Sequence, residues 1–370
     1  MNKSILTVVS RMNLGGVAVV ITNIINGTTL EYKHTLVTGI CDKNEIDYLD
    51  DHKISAEKIY LNSLGRKIRF YNDVKSLFIL TKLIRNLKPD IVHTHASKAG
   101  LIGRLAATFA RTKSIRVHTF HGHILKNYFG FINSYIFKTI EKFLALNTER
   151  LIAVSHSVKD ELQALKIGVG KSWSVIPIGI NKLPKSYFEQ KNCNDNFELF
   201  WIGRFEEIKN PMLAIKAFKL FSNLYPEHKI RFTMVGNGSQ FLMCKNFAKH
   251  FGLNINFAGW DANPFKFRFD LLLITSRNEG FGLVMLEAAS RGIATLSTRV
   301  PAIEEFIENE VSGYLVENVD IQIANKIDWI LRNPQVHENV ASNARTIAES
   351  KFSNEKMIEA YNTLYNELLT

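Results

Sequence analysis

Two carboxylates, Glu279 and Glu287, stand eight residues apart in the stretch LLLITSRNEGFGLVMLEAASRGIATLST, Leu271 to Thr298. If helix fills that gap they lie roughly 12 Å apart at ~1.5 Å per residue. That is too wide for a glycosidase acid and nucleophile, which need roughly 5 to 9.5 Å. It suits a ligand long enough to touch one acid with each end, such as a nucleotide sugar. Gly280 and Gly282 leave the backbone bare at an expected helix start, where N–H groups and the helix dipole can face phosphate. A second pair, Arg204 and Lys209 in GRFEEIKN, shares a loop after an apolar run. Two cations so placed can hold a diphosphate and neutralise charge as a bond to it breaks.

Histidines form a third group. His93 and His95 end the run PDIVHTH, and His118, His121 and His123 fall in IRVHTFHGH, so five histidines gather at two neighbouring strand ends. No HxxxH or paired carboxylate completes a closed metal site, so no metal ion is expected, and a core or capping role suits most of the five.

These residues need strands and helices to position them. Leu271 to Thr275 reads as a buried strand, Asn278 to Gly282 as a turn and Leu283 to Ser290 as a helix. Near the start, Ile5 to Ser10 reads as a strand, followed by Arg11-Met12-Asn13-Leu14-Gly15-Gly16 and a helix over Val17 to Ile25, the opening of a doubly wound domain. Further strands are expected at His34 to Thr38, Pro89 to His95, Ile115 to Thr119, Leu151 to Ser155 and Trp173 to Pro177. Asp73 to Leu87 reads as a helix with Val74, Leu77, Phe78, Leu80, Ile84 and Leu87 largely on one side. Leu101 to Ala110 reads as another, and a third opens at Ser157 as cap with Asp160 three residues on. The polar stretch Asn181 to Asn196 has a linker's composition. Beyond it, strands are expected at Phe197 to Ile202, Lys229 to Val235 and Asn254 to Ala258, with Asn210 and Pro211 as cap and first residue of a helix. Helices over Ile321 to Arg332 and Val336 to Lys351 precede a terminal amphipathic one bearing Met357, Tyr361, Leu364, Tyr365 and Leu368.

The 370 residues allow two domains, and three scattered cysteines suit neither a disulfide framework nor a zinc site. Residues 5–9 are too few for a signal-peptide core, and no run approaches the roughly 18 apolar residues of a membrane span, so a cytoplasmic protein is expected. The net charge of +11 is uneven: Leu64 to Arg150 holds sixteen Lys and Arg against Asp73, Asp90, Glu141 and Glu149. Such a basic half suits an anionic partner, a phosphorylated acceptor or an acidic lipid surface. No nucleic-acid module accompanies it, so nucleic acid is not expected. Within this half, Ile132, Tyr135, Ile136, Ile140, Phe143 and Leu144 recur at helical spacing among Lys126, Lys138 and Lys142. That face could rest on an anionic membrane or be core, and both readings stay open.

Taken together, strand, EGFG, LEA and second strand, with GR-x4-KN and the turn Gly236-Asn237-Gly238 upstream, resemble the retaining glycosyltransferases of the GT-B fold, family four. The resemblance implies an α/β chain of two Rossmann-like domains facing a cleft. The domains are an acceptor domain over residues 1–180, a linker over 181–196, a nucleotide-sugar domain over 197–352, and a last helix over 353–370 that crosses back to the first domain. It implies that Glu279 contacts donor-sugar hydroxyls, Glu287 the ribose, and Arg204 and Lys209 the donor phosphates. Gly16, Gly236, Asn237, Gly280, Phe281, Gly282 and Leu283 complete the donor contacts. HTHASKAG and VHTFHGH resemble the subset acting on lipid-linked oligosaccharides, which gives His121 to the donor sugar or transferring centre and His93, His95 and Lys98 to the acceptor side.

The activity so implied is retaining transfer from a UDP-sugar, UDP-HexNAc type included, to a polyprenyl-diphosphate-linked glycan in O-antigen or capsule assembly. No cofactor is implied, and the protein would work at the anionic inner face of the plasma membrane. Two departures stand out: Trp260 to Asp270 is too short for the helix usual there, and Pro301-Ala302 replaces a Gly-Gly. A GT-B epimerase or phosphorylase and a non-catalytic glycan-binding scaffold share the architecture. A dehydrogenase does not fit, since no complete GxGxxG with a ribose acid appears.

Overall fold

The computed structural model describes residues 3–42, 45–65, 67–122, 131–183, 196–261, 263–266 and 269–370. It divides into two compact units, Met1–Gly179 with Asn354–Thr370, and Ile180–Ser353. Of the stretch expected as a linker, residues 184–195 lie outside the described residues, as do Cys193, His123 and the start of the aromatic segment after it.

The first unit carries a parallel sheet of β1 (Lys3–Val9), β2 (Tyr32–Thr38), β3 (Glu57–Tyr60), β4 (Ile91–His95), β5 (Ile115–Phe120), β6 (Arg150–Ala153) and β7 (Trp173–Val175). Their order is β3-β2-β1-β4-β5-β6-β7, so the chain reverses direction across the sheet between β1 and β4. Helices α1 (Gly16–Thr28), α2 (Tyr48–Asp51), α3 (Phe70–Leu87), α4 (Ser97–Ala110), α5 (Phe131–Leu146) and α6 (His156–Ala164) connect them. Every residue of β4 is buried, including His93 and His95, because a parallel sheet has helices on both faces and leaves no wet side. The cap of α6 is Ser155, whose side chain accepts from the Val158 N–H, and not Ser157 as the sequence suggested. Ser155 keeps extended dihedrals (φ −153°, ψ 159°), which a cap requires and a residue inside the first turn cannot have.

The second unit repeats the plan with β8 (Phe197–Ile202), β9 (Ile230–Val235), β10 (Ile255–Gly259), β11 (Leu271–Ile274), β12 (Ala294–Thr298) and β13 (Tyr314–Val316) in the order β10-β9-β8-β11-β12-β13. Its helices are α7 (Pro211–Leu224), α8 (Phe241–His250), α9 (Leu283–Ser290), α10 (Pro301–Glu304), α11 (Asp320–Arg332) and α12 (Pro334–Lys351). Pro301 opens α10 where a Gly-Gly was the family's pattern, its fixed φ suiting the first helical position. Trp201, Phe205, Phe218, Phe221, Phe232 and Met234 fill the core between α7 and the sheet. The last helix, α13 (Asn354–Leu369), belongs to the first unit and packs on α1. Its Tyr365 hydroxyl bonds His93 Nδ1 at 2.7 Å in the core.

One apolar assignment fails. In α3 the buried residues are Ser76, Leu80, Thr81 and Ile84, whereas Val74, Phe78 and Leu87 face solvent. A helix presents only about a third of its circumference to one sheet, and Phe78 and Val74 lie outside that arc.

Candidate active site

Ligands of open parallel sheets gather at the carboxyl ends of strands where the strand order reverses. In the second unit that point lies between β8 and β11, and the loops leaving these two strands carry Arg204, Lys209 and Glu279. Lys209 Nζ and Glu279 Oε1 form an ion pair, and Ser276 Oγ donates to the same carboxylate oxygen at 2.7 Å. The loops are fastened through the backbone as well: the Arg277 N–H donates to the Ile208 carbonyl at 2.8 Å, and the Thr275 side-chain Oγ1 lies 3.1 Å and 2.9 Å from the carbonyls of Lys209 and Asn210. Trp201 Nε1 holds Thr275 Oγ1 from below at 3.0 Å. Arg204 extends into solvent beside them. Asn210 stands ahead of Pro211 at the start of α7 in a left-handed conformation, but its side chain reaches Asn318 rather than capping the helix.

A third loop, after β9, closes on the first. The φ of Gly236 is +138°, and a Cβ there would fall 1.9 Å from the Gly203 carbonyl oxygen; at Gly238 it would fall 2.6 Å from that of Phe205. Only glycine permits so close an approach. Glu206 completes the clasp, accepting from the Ser239 N–H at 3.1 Å and from its hydroxyl at 2.7 Å. Asn237 stays exposed, its Oδ1 accepting from the Gly238 N–H.

Gly282 precedes α9 with φ +89° and no side chain caps the helix; its carbonyl accepts from the Met285 N–H at 2.9 Å, so the N–H groups of Leu283 and Val284 are the ones a helix start leaves over. Phe281, expected among the donor contacts, turns its ring inward against Phe352 at 5.3 Å, because an aromatic ring gains more in the core than beside phosphate. Leu283 is half-buried in the first turn of α9. Glu287 sits one turn before the end of α9, and burial pushes its carboxyl up to about 7, with Arg291 pulling it partly back.

In the first unit the equivalent reversal, between β1 and β4, holds Gly16 at the start of α1 and Lys98 in the first turn of α4. The Ala99 N–H donates to Ser10 Oγ at 3.2 Å and joins the two loops. Ala96 between β4 and α4 adopts φ 61°, ψ 164°, a glycine region that costs a residue with a Cβ about 1–3 kcal/mol. His95 Nδ1 and His121 Nε2 lie 2.9 Å apart. Burial holds His121 down at about 4 and His95 well below its usual range, so both rings are neutral near pH 7.

Three acceptor-side expectations are corrected. His93 has both nitrogens engaged inside the core, by Tyr365 and by Thr119 Oγ1 at 2.8 Å, and offers nothing to a ligand. His95 is sealed at the strand end and acts only through His121. Lys98 is committed to α3: it pairs with Asp73 at 2.6 Å and donates to the Lys67 carbonyl. Long-range packing of α3 and α13 made these partnerships, and neither is visible in HTHASKAG. Sequence reasoning also missed Thr275, Ser276 and Glu206; their one signal was polarity immediately after a strand.

Among the described residues one trio could hold a metal ion, Glu227, His228 and Asp328. Arg332 already joins Asp328 and Glu227, each at 2.7 Å, so the trio reads as a surface clamp between the segment ahead of β9 and α11. No described helix is long and apolar enough to cross a membrane.

The chain is 30% identical over 342 residues to the UDP-Gal:alpha-D-GlcNAc-diphosphoundecaprenol alpha-1,3-galactosyltransferase of Escherichia coli, covering 87% of this chain and 86% of that one. The chain belongs to the group 1, family 4 glycosyltransferases. The Glycosyltransferase Family 4 profile matches residues 14–182, and the Glycosyl transferases group 1 profile residues 185–347. The capsular polysaccharide biosynthesis glycosyltransferase CapM of Staphylococcus aureus is 26% identical over 355 residues, 87% of this chain and 90% of that one. Anabaena HepE, solved with UDP and glucose, superposes with a TM-score of 0.81 over 99% of this chain and 100% of its own at 18% identity. The fold of this glycosyltransferase is therefore GT-B.

Proposed function

We propose that this glycosyltransferase moves a sugar from a UDP-linked donor, with retention of configuration, to a hydroxyl of a polyprenyl-diphosphate-linked glycan during assembly of a bacterial surface polysaccharide. The observation that carries this reading is the Lys209–Glu279 pair on two loops stapled together at the β8/β11 reversal. A cation and an acid side by side suit the junction of a sugar and a diphosphate, where phosphate oxygens need positive charge and hydroxyls need an acceptor. Relatives support the rest: the E. coli enzyme is named for UDP-Gal and a diphosphoundecaprenol acceptor, and CapM for capsule biosynthesis.

In this mechanism Arg204, Lys209 and the α9 N-terminus hold the diphosphate. Glu279 orients the sugar through its hydroxyls, and Glu287 takes the ribose diol. His121 is assigned to the donor sugar, and the backbone at Gly16 and Gly236 approaches the diphosphate. The bond from the anomeric carbon to the phosphate oxygen breaks with its electron pair leaving on UDP, and the Arg204 and Lys209 cations offset the charge that develops there. The acceptor oxygen bonds to the same face of that carbon, and its proton passes to the departing phosphate. Rate then comes from positioning and electrostatics without a covalent enzyme intermediate. The enzyme would meet its lipid-borne acceptor at an anionic inner-leaflet surface.

The test incubates the protein with UDP-hexoses and UDP-N-acetylhexosamines, with and without a GlcNAc-diphosphoprenol acceptor. UDP released one for one with an α-linked product from an α-donor is the expected result. UDP release without acceptor, an epimerised donor or a β-linked product would overturn the reading.

A further inference from the structure

The outer face of α3 carries an exposed apolar strip that the fold does not use. Ile68 and Phe70 are each 85% exposed, Tyr71 78% and Phe78 71%, with Val74 between Tyr71 and Phe78 on the same stripe. Their spacing at 71, 74 and 78 is helical, and the face opposite is the one that Leu80 and Ile84 bury against the sheet. Aromatic side chains grouped on one solvent-facing surface mark an interaction site.

The charges around the strip state what kind. Lys67, Arg69, Lys75 and Lys82 border it, all exposed. From Lys67 to Leu87 the only acid is Asp73, and Asp73 is taken by Lys98 at 2.6 Å. The strip thus joins large apolar side chains to uncompensated cations, the pairing that binds an anionic lipid interface: rings enter the headgroup layer while lysines meet phosphate. A second copy of the chain is a poor occupant, since a two-fold contact would set these cations against themselves.

The first turn of α3 lies at the carboxyl edge of the first sheet, since α3 follows β3 in a parallel order. Lys98, in the first turn of α4, grips both Asp73 and the Lys67 carbonyl and so fastens the strip to the carboxyl edge of the sheet, where ligands of such a sheet gather. On the same side of the sheet α4 packs against both α3 and α5, and Phe109 at the end of α4 and Tyr135, Ile136 and Phe143 on α5 are also exposed, beside Lys138 and Lys142.

We propose that the outer face of α3, centred on Phe70, Tyr71 and Phe78, is the surface by which this protein docks on an anionic bilayer. That it thereby brings a lipid-borne acceptor to the loops after β1 and β4 rests on the function proposed above; the docking itself does not.

The experiment sediments the full-length protein with vesicles of phosphatidylethanolamine and phosphatidylglycerol, and with vesicles of phosphatidylcholine alone. Wild type should bind only the anionic vesicles. The triple variant Phe70→Ser/Tyr71→Ser/Phe78→Ser should lose at least tenfold in partition. Lys75→Gln/Lys82→Gln should lose roughly 25-fold, about fivefold for each cation removed. Tyr135→Ser/Phe143→Ser should change partition less than either. UDP binding by thermal shift should match wild type in all three, which separates a failed docking surface from a failed reading of the donor site. Unchanged partition in both α3 variants would overturn the proposal, as would a larger loss in the α5 variant. So would a wild-type dimer in solution that the triple variant converts to monomer.

Discussion

Nδ1 of His95 and Nε2 of His121 lie 2.9 Å apart, so one proton serves two imidazoles. Both rings are held neutral by burial, and whichever donates fixes the tautomer of the other. His121 Nδ1 is buried and has no partner among the described residues. His95→Leu should therefore release His121 into a mixture of tautomers, visible in its ring ¹⁵N shifts, while His95→Asn, whose amide can stand in for Nδ1, should keep one. The expected loss in kcat/KM for His95→Leu is roughly tenfold to hundredfold, the range for removing an orienting partner behind a working imidazole. A single unchanged tautomer in His95→Leu would end the idea.

Lys209→Ala should lower turnover by about 10²–10³-fold, since the mechanism proposed above uses this cation to offset charge on the leaving diphosphate. Lys209 is partly exposed and its loop is held by Thr275 and Arg277, so circular dichroism and the urea midpoint should stay near wild type. Steady-state kinetics with saturating donor checks this, and normal turnover would remove Lys209 from the mechanism.

Glu287 should make UDP affinity depend on pH. Its carboxyl is raised to about 7 by burial, so it is protonated below that pH and ionised above. A ribose diol donates two hydrogen bonds and favours the ionised form. UDP affinity should then rise about tenfold from pH 6 to pH 8, one decade being the span of this single titration. Without ligand the sign is opposite: the raised pKa makes this carboxyl's contribution to stability greatest below its unfolded pKa and lost as pH climbs toward 7. Calorimetric titration of Glu287→Gln should lack this decade and keep only the step from the titration of the UDP phosphate itself.

Arg104 and Glu141 join α4 to α5 in a fully buried pair, with bonds of 2.9 Å and 2.7 Å and side-chain exposures of 1% and 0%. Removing one partner strands the other charge, so Glu141→Leu or Arg104→Met alone should cost about 3–5 kcal/mol in chemical denaturation. The double variant should recover most of that loss. Additive losses would show that packing, not charge, dominates there.

Much of this protein is written locally. The strand at Leu271, the turn before Gly282 and the helix Leu283–Ser290 follow from an apolar run, glycines and helix-forming residues within a single stretch. The reversal that brings the loops of Arg204, Lys209 and Glu279 together follows from repeated strand–helix units, whose handed crossovers admit few orders. Short strands with weak signals, β3 and β13, escaped for different reasons: β3 is a largely exposed edge strand made by its pairing with β2, and β13 is three residues long and made a strand by burial beside β12.

What tertiary structure decided is which polar side chains remain available. His93, His95 and Lys98 share one stretch of six residues and look alike in sequence, yet α13 takes the first, His121 the second and α3 the third. The same packing turned Phe281 inward and left Phe70, Tyr71 and Phe78 outside. Residue type and spacing state what a side chain can do. Only the elements that fold against it, hundreds of residues away in the case of Tyr365, determine whether a donor, acceptor or apolar face is still free to do it.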